Sequence, residues 1–552
     1  MASVMPDSPA RKRIPQVLIA GAGPIGLFFA ADLAWRGVAV LVVDPQVDVV
    51  AHPRAISIGV RSMEHFRRLG LDQKVIDAGV PRDQALDVVY VTRMLSREIF
   101  RFRIPSIEDL GKRHAELAQA IPEVAASPYY KTWTAQAPLE RMLRSHLQDN
   151  ELVELRLGWR LDSFRETAEG MEAVIVENAS GRREAVTADY LAGCDGARST
   201  VRTQLGIPLE GRGTLGSALG LYFRAPQLRV LLGRGAGVMY WPLAPGCGGT
   251  IYTIDGGDEW VFNRYFAADE TPSVADPVGV IKAAIGRDID VELISALDWQ
   301  PRQLVASSYG TDRVFLAGDA CHLFVPTGGL GMNTGIGDAA DLAWKMEARL
   351  KGWGGENLLR SYEKERRPQG LHNTLEAADN YARSGDISTA LADIEDESSK
   401  GDAARASLAA RLPPKIKHFA PIGVHLGYRY EGSPLIVADR TAQPPLEPAN
   451  YVPTARPGHR APHVWLDENI STLDLFGRGF VLLNFGDADT SAFERAARDR
   501  GMPLRAIGLH SREAAQLYES RLALVRPDGH VAWRADECPL NIGRILDTVC
   551  GD

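Results

Sequence analysis

A glycine-rich turn near the N-terminus places the tightest constraint on how this chain can fold. Residues 21–26 read GAGPIG, which matches the pattern G-x-G-x-x-G, and they follow the short apolar run 16–20. A helical pattern then continues to Trp35, and the apolar segment VAVLVVD after it ends at Asp44. Strand, glycine turn, helix and a second strand ending in an acid predict a βαβ unit. Its turn would accept a pyrophosphate at the helix N-terminus, and Asp44 would accept hydrogen bonds from a ribose.

A second stretch, GRGTLG at 211–216, matches the same pattern letter for letter. The segment LGIPLEG before it is typical of a loop, and an alternating strand follows it where a dinucleotide fingerprint needs a helix. We therefore predict no nucleotide site there. We also find no second βαβ unit that would hold a nicotinamide cofactor permanently.

A third glycine-rich stretch, GDACHLFVPTGGLGMNTG at 318–335, combines an acid, a Cys and a His. The residues alone allow a metal site, a thiol nucleophile or a cradle for a cofactor. Asp319, Cys321 and His322 are crowded and lack a further ligand cluster at proper spacing, which disfavours a metal. The residues next to Cys321 do not form the sequence signature of a catalytic thiol, so we interpret Cys321 as a small buried residue. We interpret His322 as a hydrogen-bonded structural residue.

The cradle is the interpretation that the neighbouring strand favours. Asp319 ends the buried strand RVFLAGD, as Asp44 and Asp195 end theirs. Carboxyl ends of strands in such sheets face the ligand. The following glycines and the helix that begins near Thr334 would let backbone N–H groups approach an anion or a ring edge.

Length and composition narrow the class of protein further. A chain of 552 residues is too long for one core, so we expect two to four domains. The net charge of −8, with no long basic run, argues against a nucleic-acid partner or an anionic membrane surface. Five cysteines without a CxxC pair indicate reduced thiols in a cytoplasmic protein. The N-terminus lacks a signal-peptide pattern, and the apolar run after it is too short for stable membrane insertion.

Several motifs in this order resemble one family of enzymes. They are GAGPIG with Asp44, HPRA (52–55), QAPLERML (136–143), CDGARSTVR (194–202) and GDACHLFVPTGGLGMNTGIGDAADLAWKM (318–346). Together they resemble the single-component FAD-dependent aromatic hydroxylases, the group A flavoprotein monooxygenases related to p-hydroxybenzoate hydroxylase and phenol hydroxylase. The resemblance covers roughly residues 14–385. The segments 426–435 and 451–466 resemble the dichlorophenol hydroxylase branch of that family.

The resemblance implies an α/β fold with interleaved domains. A Rossmann-like FAD-binding domain would comprise residues 14–80, 132–205 and 306–400, and a β-sheet substrate domain residues 81–131 and 206–305. Residues 401–450 would form a linker, and residues 451–552 a thioredoxin-like domain. Because that terminal domain lacks CxxC, thiol–disulfide chemistry is not its expected role.

The same resemblance implies the residues that bind FAD. Asp44 and the first glycines would hold the ADP half, Arg54 and Gln136 would approach the pyrophosphate and ribityl region, and Asp319 would hydrogen-bond the ribityl chain. Asp195 would lie between the flavin and nicotinamide contacts, in a loop held by Arg202. The predicted cofactor-binding set is Gly21, Gly23, Pro24, Ile25, Gly26, Asp44, Arg54, Gln136, Asp195, Arg202, Asp319, Pro326, Gly329, Gly331, Met332 and Asn333, the last three along the flavin ring.

The activity implied is hydroxylation of a phenolic or polyketide-derived aromatic ring. In the family, NADPH or NADH reduces FAD, O2 adds to give a flavin C4a-hydroperoxide, and the ring attacks its terminal oxygen. Some relatives place a His or Asp just after the HPRA-type motif, where this chain has Ile56, Ser57 and Ile58. We therefore carry over no catalytic base, although a tyrosine of the 215–265 sheet is a candidate. An FAD oxidoreductase that transfers hydride without inserting oxygen, a non-catalytic flavin-binding module and a possible homodimer remain open.

Overall fold

The computed structural model describes residues 14–49, 52–266, 270–388 and 393–552, without the side chains of 122–123 and 384–388. Within these ranges the chain forms two large sheets, each with its own hydrophobic cluster, and a small terminal domain. This arrangement confirms the predicted fold class. None of the helices in the described ranges combines the length and the apolar character needed to cross a bilayer.

The first sheet is built around the predicted βαβ unit. Its central strand pairs in parallel with one neighbour on each side, and all its residues are buried. Apolar runs of this kind are typical of parallel strands covered on both faces. The five parallel strands lie in the order Val314–Leu316, Tyr190–Gly193, Val17–Ala20, Val40–Asp44 and Val153–Leu157. Because they are parallel, their carboxyl ends share one edge of the sheet.

Two helices position that edge. The N-terminal helix, Pro24–Trp35, packs against the central helix, Leu330–Leu350. Nine of the twelve residues of the N-terminal helix are buried, in agreement with its predominantly apolar sequence. Further helices that share the hydrophobic cluster of the first sheet are Val60–Arg68, Asp72–Asp77, Gln136–Gln148, Thr200–Gln204 and Asn357–Ser388. An antiparallel sheet of Trp159–Glu166, Met171–Glu177 and Arg183–Ala188 shares their hydrophobic cluster.

The second sheet has seven strands and two apolar faces. Its order is Glu292–Trp299, Ser217–Arg224, Glu259–Phe266, Thr250–Thr253, Met239–Pro242, Val88–Val91 and Glu98–Phe102. One face packs in a cluster with the helix Pro277–Ile285, and Pro226–Leu232 lies beside it. The other face carries Tyr222 and Tyr252 and belongs to a separate cluster. Near this sheet lie the helices Ile107–Ala120 and Pro122–Ala125 and the strand pair Ile58–Gly59 with Lys131–Thr132.

The interval 401–450, which the sequence assigns to a linker, contains packed helices. It contains most of one helix and all of two more, Ser399–Arg411, Ile416–Phe419 and Ile422–Leu426. Leu408, Leu412 and Phe419 are buried in the cluster of the second sheet. Their apolar side chains are spaced too irregularly in a polar, Ala-rich segment for periodicity to reveal this packing.

The terminal domain follows the order βαβαββα. Its sheet has the order Leu504–Gly508, Phe480–Asn484, Leu522–Val525 and Val531–Ala535, with only the first pair parallel. The helices Ser491–Asp499, Arg512–Tyr518 and Ile542–Cys550 complete a thioredoxin-like fold. Phe480 lies in one cluster with Trp344 of the central helix, so the terminal domain packs directly on that helix.

The second glycine match lies on a strand. Leu209–Thr214 pairs antiparallel with Arg302–Ala306, which in turn pairs with His322–Leu323. A bulge falls between Gly211 and Gly213. No helix follows the match, as predicted, but the segment before it that was interpreted as loop already enters this strand.

Candidate active site

A large cavity lies between the carboxyl edge of the first sheet and the inner face of the second. Its volume is about 1160 Å³. Of the sixteen residues predicted to bind a cofactor, thirteen line it, namely Gly21, Gly23, Pro24, Ile25, Asp44, Arg54, Gln136, Asp195, Asp319, Pro326, Gly329, Gly331 and Met332. Gly26, Arg202 and Asn333 do not line it. Residues far apart in sequence thus meet at one site.

The glycines of GAGPIG have different roles in the turn. A Cβ atom on Gly21 would lie 2.2 Å from the carbonyl oxygen of Cys194, and one on Gly26 would lie 1.9 Å from the carbonyl oxygen of Gly21. These two glycines permit close backbone packing. A Cβ on Gly23 would meet nothing within 4 Å, because this residue faces the cavity. Gly23 precedes the N-terminal helix, whose first turn has no side-chain cap.

Asp44 fixes the same turn from the neighbouring strand. Its Oδ2 atom accepts a hydrogen bond of 2.6 Å from the backbone N–H of Ala22, and Oδ1 accepts one of 2.7 Å from Gln46. Each carboxylate oxygen has a second lone pair. Asp44 therefore orders the turn and keeps acceptor capacity toward the cavity.

Asp195 and Arg202 hold a second loop at the cavity. Asp195 accepts hydrogen bonds from the backbone N–H groups of Thr200 and Val201, at 2.7 and 3.1 Å. Burial raises the pKa of Asp195, against the hydrogen bonds that it accepts. Arg202 donates to the carbonyl oxygens of Ala320, at 2.8 Å, and Ala197, at 3.0 Å. The guanidinium thus ties this loop to the turn that carries Asp319.

The turn Gly318–Ala320 presents the Asp319 carboxyl to the cavity. The side chain is exposed to the cavity and otherwise enclosed by protein. Burial raises its pKa, against the opposing effects of His322 and Arg54. Ten residues further on, the central helix begins after Gly329 without a side-chain cap. Its free N–H groups and positive dipole end face the same space.

The side chain of Asn333 is engaged by other parts of the protein. Its side-chain oxygen accepts hydrogen bonds from the backbone N–H of Gly59, at 2.8 Å, and from the Ser62 hydroxyl, at 2.7 Å. Its amide nitrogen donates to the carbonyl oxygens of Gly329 and Ser57. The side chain therefore joins the central helix to the 57–62 segment, and only the backbone of Asn333 remains for a cofactor.

Arg54 and Gln136 enter the cavity from two further segments. Arg54 has an exposed side chain on the cavity wall. Gln136 begins the helix Gln136–Gln148, donates a backbone hydrogen bond of 2.8 Å to Ala55, and donates from Nε2 to Glu140, at 2.7 Å.

Cys321 and His322 lie beneath the turn, with a partner that local sequence did not reveal. Ligand atoms of Cys321, His322 and Asp338 lie within 4.8 Å of one another. His322 Nε2 is 2.7 Å from Asp338 Oδ2, and Arg366 donates to Asp338 Oδ1 at 2.9 Å. Burial raises the pKa of Asp338, but His322 and Arg366 outweigh it and lower that pKa. Arg366 thus supplies the positive charge that a metal ion would otherwise bring.

The cavity wall opposite the glycines is aromatic. The wall comprises His52, Lys131, Trp133, Trp241, Tyr252, Asn263, Tyr265, Trp299, Phe324, His418 and Phe419. Of these side chains, the sequence placed Trp241, Tyr252 and Tyr265 in the 215–265 sheet and made a tyrosine of that sheet a candidate base. Burial raises the pKa of Tyr265 to about 12 and that of Tyr252 further. Both tyrosines are neutral hydrogen-bonding phenols near pH 7, which weighs against either as a base.

Comparison with known proteins agrees with this geometry. A family model described as an FAD binding domain matches residues 15–376, and one described as the C-terminal region of aromatic-ring hydroxylases matches residues 454–552. The chain is 35% identical over a 573-residue alignment to the tetracenomycin B2 monooxygenase-dioxygenase of Streptomyces olivaceus, with 98% of each chain covered.

Two solved structures are similar over nearly the whole chain. RebC with bound 7-carboxy-K252c shares 37% identity at a TM-score of 0.88, covering 97% of this chain and 99% of that one. Aklavinone-11 hydroxylase, in a ternary complex with FAD and aklavinone, shares 28% identity at a TM-score of 0.81, again covering 97% and 99%.

Proposed function

Because the chain belongs to the family of FAD-dependent aromatic-ring monooxygenases, we propose that it consumes NAD(P)H and O2 to hydroxylate a phenolic or polyketide-derived aromatic ring. The observation that carries this proposal is the shared cavity. Its glycine-rich and acidic wall suits a dinucleotide, and its opposite wall of tryptophan, tyrosine and phenylalanine side chains suits an aromatic substrate. The volume of about 1160 Å³ exceeds that of an ordinary small-molecule pocket, as a site for both would require.

The residues present fit FAD on their own geometry. The two uncapped helix N-termini offer backbone N–H groups, one toward a pyrophosphate beside Gly23 and one toward the flavin beside Gly329. Asp44 retains lone pairs for ribose hydroxyls, and Asp319 projects a carboxyl for the ribityl chain. Asp195 and Arg202 hold the loop at which we expect the nicotinamide to approach.

When bound, FAD would supply the two-electron chemistry that activates O2 for insertion into the ring. The protein's own task is to orient the ring and to exclude water, since water at the reacting centre would release peroxide without product. Trp133, Trp241 and Phe419 are buried and line the cavity, which supports this task. The ligands of two similar structures support a large substrate for this chain, since RebC was solved with 7-carboxy-K252c and aklavinone-11 hydroxylase with aklavinone.

The test is to load the purified protein with FAD and screen phenols and polycyclic aromatics for stimulated oxidation of NADPH and NADH. A product heavier by one oxygen atom, labelled when ¹⁸O2 is supplied, supports the proposal. Turnover without O2, with another electron acceptor, would favour the hydride-transferring alternative. Bound flavin with no turnover on any compound would favour a binding module.

A further inference from the structure

Lys131 places an amine in the cavity wall without an acidic partner. It lies on the short strand Lys131–Thr132 and lines the cavity. Nζ donates a hydrogen bond of 2.9 Å to the carbonyl oxygen of Phe419 and lies 5.8 Å from the centre of the Trp133 ring. Within the described ranges, no carboxylate forms an ion pair with it. An ammonium with one neutral acceptor has two donor positions left.

The other titratable groups around Lys131 do not balance its charge. His418 and His425, from the two short helices packed beside it, have pKa values lowered to about 3 by burial, so both are neutral. On the helix Val60–Arg68, which also packs against this strand, Arg61 and Glu64 pair with each other at 2.7 Å. Burial lowers the pKa of Lys131 itself to about 8, so the amine still carries its proton at neutral pH.

A cationic group enclosed by protein without a counter-ion is costly, and such groups in proteins are normally paired. The surrounding side chains indicate what a partner would be attached to. Trp133, Trp241, Tyr252 and Phe419 line the same part of the wall and offer ring faces and edges. The complementary ligand is an aromatic ring that bears a negative charge.

We propose that Lys131 pairs with an oxyanion of the aromatic substrate, either a ring phenolate or a carboxylate, so that the cavity selects acidic aromatic compounds. This inference rests on the proposed function in taking the cavity as the substrate site. For a phenol, the O–H bond breaks, the electron pair stays on oxygen, and the proton leaves to solvent because the amine is already protonated. The ring becomes more electron-rich, which is the state that reacts with electrophilic oxygen.

The test uses the FAD-loaded protein and three probes, 4-nitrophenol, 4-nitrobenzoate and the non-ionisable ether 4-nitroanisole. We expect the wild type to bind both anions at least tenfold more tightly than the ether, and to lower the pKa of bound 4-nitrophenol, read from its phenolate absorption. Lys131→Met should lose this preference and keep its affinity for the ether within about twofold. Binding of only one anion identifies which oxyanion the site takes.

The pH dependence separates an electrostatic role from a structural one. Since Lys131 loses its proton near pH 8, wild-type affinity for 4-nitrobenzoate should be constant below about pH 8 and fall above it. Lys131→Arg should bind the same anion without that fall, because a guanidinium stays protonated. This variant decides the question even if Lys131→Met fails to fold, which flavin content and thermal unfolding would reveal.

Lys417→Met is the matched control. It removes the same charge from the helix Ile416–Phe419, but Lys417 faces Glu376 at 3.9 Å and does not line the cavity. It should behave as the wild type. A wild type that prefers no anionic probe over 4-nitroanisole, or binds none of them, overturns the proposal, as does an unchanged preference in Lys131→Met. None of these measurements requires turnover, so a failure to insert oxygen would count against the proposed function alone.

Discussion

Replacing Gly23 by alanine should weaken FAD binding while leaving the fold intact. Gly23 has φ −76° and ψ −176°, an extended conformation that alanine adopts without strain. Its Cβ would meet no protein atom within 4 Å and would project into the cavity at the start of the N-terminal helix. The methyl group would therefore occupy space that the pyrophosphate needs.

The expected magnitude follows from the cost of inserting one methyl group into a packed contact. Overpacking of this kind costs about 1–3 kcal/mol, which corresponds to an FAD affinity weakened by about 5- to 150-fold. The apoprotein has no such contact, so its unfolding free energy should change by less than about 0.5 kcal/mol. FAD titration of the apoprotein, followed by flavin fluorescence, and denaturant unfolding measure the two quantities separately.

Two other glycines serve as controls. Gly26→Ala brings a methyl group to 1.9 Å from a backbone oxygen, so we expect loss of folding rather than a selective cofactor defect. Gly213→Ala, in the rejected fingerprint, has open space but φ +79°, so it should destabilise by about 1 kcal/mol and leave FAD affinity and the Michaelis constant for NAD(P)H unchanged. Normal FAD affinity in Gly23→Ala, or a selective coenzyme defect in Gly213→Ala, would refute the reasoning.

The remaining predictions concern three parts of the structure. Asp319→Ala should weaken FAD binding by about 1.5–3 kcal/mol through lost hydrogen bonds, whereas Cys321→Ala, at a residue buried beneath the same turn, should retain FAD. The FAD that each variant retains after dialysis measures the difference. Lost turnover with retained flavin in Cys321→Ala would instead support Cys321 as a thiol nucleophile. Arg202→Met should slow flavin reduction by NAD(P)H by a larger factor than it weakens FAD binding, because the loop would lose its hydrogen bond to Ala320. Stopped-flow absorbance measures the reduction rate, and an unchanged rate would contradict this. Burial raises the pKa of Glu64, but Arg460 and Arg61 outweigh it and lower that pKa to about 2. The contribution of ionised Glu64 to the unfolding free energy is therefore present above about pH 4.5 and lost as the pH falls toward 2. Glu64→Gln should flatten this part of the plot of unfolding free energy against pH.

The βαβ unit could be predicted because it is local in sequence. Strand, turn, helix and terminal acid all fall within residues 16–44, so periodicity and turn chemistry identify them together. The prediction that the carboxyl ends after Asp44, Asp195 and Asp319 meet also needs only the rule that parallel strands share one edge. The structure places these three residues in one cavity.

Side-chain partners from distant segments could not be predicted in this way. Asn333 lies in a motif shared with the family, yet its side chain is engaged with Gly59 and Ser62. His322 pairs with Asp338, whose position sixteen residues away on a helix carries no local signal of the contact. Motif letters identify which segments approach the cofactor but not which atoms of a residue remain available to it.

The substrate half shows a deeper limit of sequence patterns. On Ser217–Arg224 seven of the eight residues are buried, so the alternation of inward and outward side chains does not distinguish the face that lines the cavity from the face covered by helices. Lys131 lies on a strand of only two residues, too short for any periodicity. Its proposed role follows from what surrounds it, an aromatic wall and a backbone carbonyl without a carboxylate among the described neighbours. The cofactor half of the cavity could therefore be predicted from short motifs, whereas the proposed role of Lys131 could be inferred only from the folded wall around it, and the Lys131 variants test that role.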